Sequence, residues 1–252
     1  MATNLKQFVQ FSDDFLNIRE IQDWPGAKNG LQVEGPQEIR RLATAVDANL
    51  LTIQGAIECE ADLLLVHHGL FWGEITPLTG AHYRKIKLCL DHGLAVYSAH
   101  LPLDLHPKVG NNVLLAQALG FRKWRPFFFG KGQYIGVQTQ TDMTLRHLLG
   151  CVEAATGYVP RLLAGGGNRV RKVGIVTGGA GNEVALAAAE GVDTFITGEG
   201  SHHSFGLAHD FGINVIHGGH YATETFGVRA FGKMLGKKFG LGVVNLEVPS
   251  GL

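Results

Sequence analysis

Three short apolar runs decide the fold: LATAV at 42–46, DLLLVHHG at 62–69 and GLAVYSAH at 93–100. Each is shorter than an ordinary helix, rich in Leu, Val and Ala, and separated from the next by Gly, Asp or Asn. Runs with no polar alternation are buried on both faces, as strands are in a mainly parallel sheet covered by helices. The stretches between them, 48–58 and 80–91, read as helices, the second stopped by Gly93. Upstream, Leu5, Phe8, Val9, Ser12, Phe15 and Leu16 recur at helical spacing, and Trp24-Pro25-Gly26 and Asn29-Gly30 then mark loop and turn.

The same order recurs downstream. From Lys172 the chain reads KVGIVTGG, a helical stretch near 182–190, GVDTFITGEG, a second helical stretch near 201–211, and GINVIHGGH. Leu42 to Asp62 and Val173 to Asp193 each span twenty positions, so the two segments overlay without a gap. His100-x-x-x-Asp104 in the first half answers to His220-x-x-x-Glu224 in the second. The expected fold is therefore α/β: two similar lobes related by internal duplication, with mainly parallel sheets flanked by helices. The first lobe is placed at residues 1–125 and the second at 126–252, whose last helix and strand have room to pack back on the first. Residues 121–170 carry no obvious chemistry. FFFGKGQYIGVQTQ alternates like an exposed-face strand, TLRHLLGCVEAATG is helical, and LLAGGGNRVRKV resembles two strands around a Gly loop.

Composition narrows the function classes. Of the 252 residues, 45% are hydrophobic and 17% charged, which excludes a disordered chain. Lys plus Arg balance Asp plus Glu at 22 each, so no broad positive field exists to gather nucleic acid or anionic membrane. A local basic face would have to be assembled from Arg40, Arg41, Arg169, Arg171, Lys172, Lys233, Lys237 and Lys238, groups that read as ordinary solvated surface. No apolar run approaches the roughly 18 residues of a membrane span, and the opening segment lacks the pattern of a signal peptide. Cys59, Cys89 and Cys151 are too few and too widely spaced for a disulfide framework or a CxxC site, so a cytoplasmic location is expected.

Histidine is the compositional anomaly. There are twelve, none before position 67. His67 and His68 close one strand, His100 closes another with Asp104 a short loop later, and His220 follows a third with Glu224 entering the next helix. Open α/β sheets place their ligands at these carboxyl ends of strands. Imidazole mixed with carboxylate, without thiolate, suits zinc, iron, manganese or cobalt. Neighbouring histidines on a strand point to opposite sides, so His67 and His68 could serve two ions about 3.5 to 4 Å apart, with Asp104 as the bridge. His82, His92, His106, His147 and His209 read as solvated, and His202 and His203 are given no ligand role. The GGAGN run at 178–182 could present amides to a phosphate, but a tight turn explains it equally well, and neither a P-loop nor a GxSxG elbow is present.

NGLQVEG at 29–35, DLLLVHHGLFWG at 62–73, SAHLPLD with HPKVGNN across 98–112, TGE at 197–199 and GGHYATE at 218–224 together resemble the NGG-one-interacting-factor-three-like family. Bacterial members of that family are often labelled GTP cyclohydrolase type-two homologues. The resemblance covers almost the whole chain. It implies two facing α/β lobes, a dinuclear metal site between them, and a homohexameric toroid, here in a short form without a mid-chain insertion. It also implies His67, His68, Asp104, His220 and Glu224 as ligands of two divalent metal ions, with His100 close to the metals and Glu199 their neighbour. The expected activity is metal-dependent hydrolysis of a small molecule, a nucleotide or phosphorylated heterocycle, with His100 or Glu199 moving the proton. The alternative is a metal-handling or regulatory protein that catalyses nothing. No feature of the sequence selects GTP over another substrate.

Overall fold

A computed structural model of the chain describes residues 2–73 and 76–252. In chain order the elements are β1 (Thr3–Asn4), α1 (Leu5–Leu16), β2 (Gly30–Val33), β3 (Glu38–Ile39), β4 (Arg41–Asp47), α2 (Leu50–Glu58), β5 (Leu63–His68), α3 (Gly80–Asp91), β6 (Ala95–Ser98) and α4 (Leu101–Asp104). Next come α5 (Asn111–Ala118), β7 (Arg125–Gly130), β8 (Gln133–Thr144), α6 (Leu145–Thr156), β9 (Arg161–Ala164) and β10 (Arg169–Ile175). A 3-10 turn at Ala180–Asn182 precedes α7 (Val184–Ala189), β11 (Thr194–Thr197), α8 (Ser204–Asp210), β12 (Asn214–His217), α9 (His220–Phe239) and β13 (Gly242–Asn245).

The chain divides into two units, Met1–Leu103 with Gly227–Val248, and Asp104–Phe226 with Pro249–Leu252. The division falls after Leu103, whereas the sequence suggests residue 125, so α5 belongs to the second unit. Its Val113, Leu115 and Ala116 pack there with Leu148 and Val152 of α6.

In the first unit the sheet order is β13-β4-β5-β6-β2. The pairings β13–β4, β4–β5 and β5–β6 are parallel, and β2 runs antiparallel to β6 at the edge. Leu42, Leu63, Leu64, Leu65, Val66, Ala95 and Val96 are all fully buried, as the apolar runs require. Each such Leu or Val side chain contributes on the order of 1.5–3 kcal/mol when removed from water. Helix α1 starts where the Asn4 side chain accepts from Lys6 N and Gln7 N, and stops at Asn17 in the left-handed region (φ 53°). Its apolar stripe meets the C-terminal part of α9 through Phe8–Phe239 and Phe15–Phe231 ring contacts at 5.7 and 5.8 Å.

The second unit's sheet has the order β7-β8-β10-β11-β12-β9. Here the expectation of a mainly parallel sheet does not hold. The pairings β10–β11 and β11–β12 are parallel, but β7–β8, β8–β10 and β12–β9 are antiparallel. The stretch expected as one exposed-face strand is instead a hairpin. Lys131 (φ 51°) and Gly132 (φ 75°) both adopt left-handed backbone, which turns β7 directly into β8.

The duplication is visible in backbone chemistry. Asp62 Oδ2 accepts from the amides of Arg40 and Arg41 at 2.6 and 2.9 Å. Its counterpart Asp193 Oδ2 accepts from Arg171 and Lys172 at 2.8 and 2.9 Å. In both units an aspartate one βα turn later thus ties down the entry to the first strand of the repeat.

Candidate metal centre

Strand β5 carries His67 and His68 to its end because Leu63–Val66, inside the sheet, hold the register against β4 and β6. His67 is fully buried and His68 half-buried. His67 Nδ1 donates to the carbonyl of Ala99 at 2.9 Å. His68 Nδ1 lies 2.8 Å from Asp47 Oδ1, at the end of the neighbouring strand β4. His100, just past β6, places Nδ1 2.8 Å from Asp23 Oδ1. The three imidazoles converge: one ligand atom from each lies within 4.8 Å of the others, a candidate metal-binding group. Burial works against the Asp23 carboxylate, but the bond and charge of His100, with Asn29 and the Trp24 amide, hold it below the usual range.

In the second unit, Asp104 and Glu224 are buried, and an oxygen of one lies within 4.8 Å of an oxygen of the other. Asp104 Oδ1 accepts from Asn111 Nδ2 at 2.7 Å and from the Thr177 hydroxyl at 3.3 Å. Asn112 ties the same region together, accepting from Thr177 N at 2.9 Å and donating to the Asp104 carbonyl at 3.1 Å. His220 opens α9 with Nδ1 2.7 Å from Glu199 Oε1 and Nε2 3.2 Å from Glu224 Oε2. Burial alone would lower the His220 pKa. The bonds and charges of Glu224 and Glu199 outweigh it and raise it to about 9.

Gly178 explains the GGAGN run. Its φ is +72°, and a Cβ there would collide with Glu224 Oε1. Its amide donates to Thr223 Oγ1, and its carbonyl accepts from Thr197 Oγ1 and from the amides of Gly198 and Glu199. The run is a turn that leaves room for a carboxylate, and α7 behind it has just six residues.

Asp23, Asp47, Asn111, Asn112 and Thr177 escape the sequence analysis as site residues. Asp47, ending a strand beside that of His68, is the one a strand-end search could have found. His106, expected in solvent, is buried. Its Nδ1 accepts from the amides of Lys108 and Val109, both at 3.2 Å, which makes it a loop brace. His217 lies at the end of β12 with no role assigned from the sequence. It is buried and held below the usual histidine range by burial, with Arg161 adding to the effect and Glu199 opposing it. Among the aromatic side chains, Phe127 and Phe128 are core, while Trp72 and Phe129 are 47% and 52% exposed.

Residues 3–250 match the model of Duf34/NIF3 (NGG1p interacting factor 3). The chain belongs to the Duf34/NIF3 family. A Deinococcus radiodurans relative named GTP cyclohydrolase 1 type 2 homolog is 40% identical over 248 residues, covering 98% of this chain and 94% of its own. An Archaeoglobus fulgidus relative of the same name is 40% identical over 250 residues, covering 99% and 100%. A crystal structure from Thermus thermophilus superposes with a TM-score of 0.90 at 37% identity, over 99% of this chain and 100% of its own. Like this family's mixed α/β members, the chain has several sheets flanked by helices. Among its described residues no helix is long and apolar enough to cross a membrane.

Proposed function

We propose that this member of the Duf34/NIF3 family binds two divalent metal ions and is a metal-dependent hydrolase. The ligands assigned are His67, His68, Asp104, His220 and Glu224, and the ions are zinc, iron, manganese or cobalt. One observation carries the reading. In His67, His68, His100 and His220 alike, Nδ1 faces a carbonyl or carboxylate oxygen at 2.7–2.9 Å. A proton held at Nδ1 leaves the lone pair on Nε2, which is how metal-ligating imidazoles are prepared. His106, with Nδ1 occupied as an acceptor, is the counterexample in the same chain.

Bound divalent ions would supply Lewis acidity and a water of lowered pKa. The protein's own groups do the rest. Asn111 and Thr177 hold the Asp104 carboxylate that would help bind the ions, and the space at Gly178 accommodates Glu224. His100, with Asp23 on Nδ1, can take a proton at Nε2. Glu199 orients His220 and, half-exposed, can pass a proton to solvent. The relatives' shared name favours a small-molecule substrate, a nucleotide or phosphorylated heterocycle, and the family resemblance favours a homohexamer.

Metal analysis of the purified protein should find two ions per chain. Asp104→Ala should lose both metal and turnover in a screen of nucleotides, phosphoesters and cyclic amides. Turnover by a metal-free Asp104→Ala protein would sink the mechanism. Full metal content with no activity above a Glu224→Ala control would leave the metal-handling role instead.

A further inference from the structure

Two tryptophans stand beside the histidine cluster of the first unit without being part of it. Trp24 is 53% exposed and Trp72 47%. Trp72 meets the His100 ring at 4.7 Å and 86°, and the His68 ring at 5.9 Å and 85°. Both contacts are edge-to-face, so neither imidazole occupies Trp72 by parallel stacking.

The loops that present these indoles are fastened to each other and to the cluster. A Cβ on Gly26 would collide with the backbone of Gly73, whose φ is +80°, so the two chains touch where glycine alone allows it. Gln32 clamps them from one side, accepting from Leu70 N and donating to the Lys28 carbonyl, each at 2.6 Å. Asp23 bonds the Trp24 amide at 2.6 Å, the Leu101 amide at 3.0 Å and His100 Nδ1, while Asn29 Oδ1 accepts from His100 N at 2.7 Å. Three polar side-chain bonds therefore lock the Trp24 loop to the segment that positions His100.

Between and beside the indoles lie two hollows sharing Gly26, Trp72 and Gly73. One, of about 440 Å³, is lined by Trp24, Pro25 and those three residues. The other, of about 590 Å³, runs on past Phe71 and Leu70 to Lys28 and His82. These volumes suit a small molecule, and the lining is largely apolar with a few polar groups at one end, the usual make-up of a ligand site.

We propose that Trp24 and Trp72 form a stacking platform for a planar heteroaromatic ring, which they hold against the His67–His68–His100 cluster. Exposed indole faces recognise flat π-systems, and loops fastened by hydrogen bonds lower the ordering cost on binding. An aliphatic ligand would fill the same hollow without using the faces. The proposal rests on the metal reading solely for what the held ring would react with.

The test is a ligand-observed NMR screen of purine, pteridine, pyrimidine and pyridine fragments against saturated rings of matched size. It is run on zinc-loaded and on chelator-treated protein. Flat rings should bind in preference to saturated ones. Trp72→Leu should weaken them roughly 5- to 150-fold while Trp72→Phe keeps most of the affinity. Trp24→Leu should weaken them as well, and circular dichroism and zinc content serve as fold controls. No preference for flat rings, or equal binding by Trp72→Leu, overturns the platform. So does a Trp72→Leu protein that changes its subunit count with ring binding intact, because the indoles would then face a second copy. If the chain binds none of zinc, iron, manganese or cobalt yet still binds flat rings through Trp72, the metal centre falls and the platform stands.

Discussion

Glu199 and Asp23 touch imidazoles rather than offering themselves as ligands, and at this scale the structure makes its sharpest demands. Glu199→Gln keeps a hydrogen-bond acceptor for His220 Nδ1 but removes the charge. Metal affinity should fall about 10- to 100-fold in chelator competition, with the fold unchanged. The pH dependence follows from His220, whose folded pKa of about 9 lies above the ordinary 6.5. In metal-free protein its pairing with Glu224 and Glu199 contributes stability that is complete below pH 6.5 and lost as pH rises through about 9. A metal ion must displace that proton, so apparent affinity should climb with pH up to about 9. Titrations at several pH values across this window check the slope, and a flat profile would remove His220 from the ligand set.

At the scale of elements, Gly178 and the aspartate pair are the informative positions. Gly178→Ala places a methyl group against Glu224 and forces a non-glycine residue to φ +72°. It should destabilise the protein by about 1–3 kcal/mol and lower metal content at the same time. Asp62→Ala and Asp193→Ala each strip two backbone amides of their acceptor. Each should cost about 1–3 kcal/mol in thermal unfolding, and similar values would support equal roles in the two repeats. The repeat was legible because its twenty-residue spacing and its apolar runs are local features of the chain. The β7–β8 hairpin was not, since alternation in FFFGKGQYIGVQTQ survives the turn and hides it. Nor was the antiparallel pairing of β8 with β10 or of β9 with β12, because a strand's direction depends on which partner it meets.

For the whole molecule, metal and stability are linked. If ions bind the folded chain and not the unfolded one, loading at a hundred times Kd adds about 2.7 kcal/mol. Chelation should therefore lower Tm measurably and reversibly, and an unchanged Tm would argue against a site of useful affinity. Light scattering tests the homohexamer, for which side chains such as Phe129, Phe205 and Leu90, all about half-exposed or more, are available surface. The balance of 22 basic and 22 acidic side chains gives no global field, so under the proposed function any selection of an anionic substrate would fall to the bound ions and their near neighbours.

By itself the sequence determined the α/β class, the duplication and the histidines and carboxylates at strand ends. These are written in periodicity and spacing, properties that a few consecutive residues carry. Tertiary structure alone decided which nitrogen each histidine presents. The oxygen facing Nδ1 lies 32 positions away for His67, 21 for His68, 77 for His100 and 21 for His220. No local pattern encodes those pairs. They exist because parallel strands bring their carboxyl ends side by side, and because one loop, anchored by Asp23, reaches back across that edge.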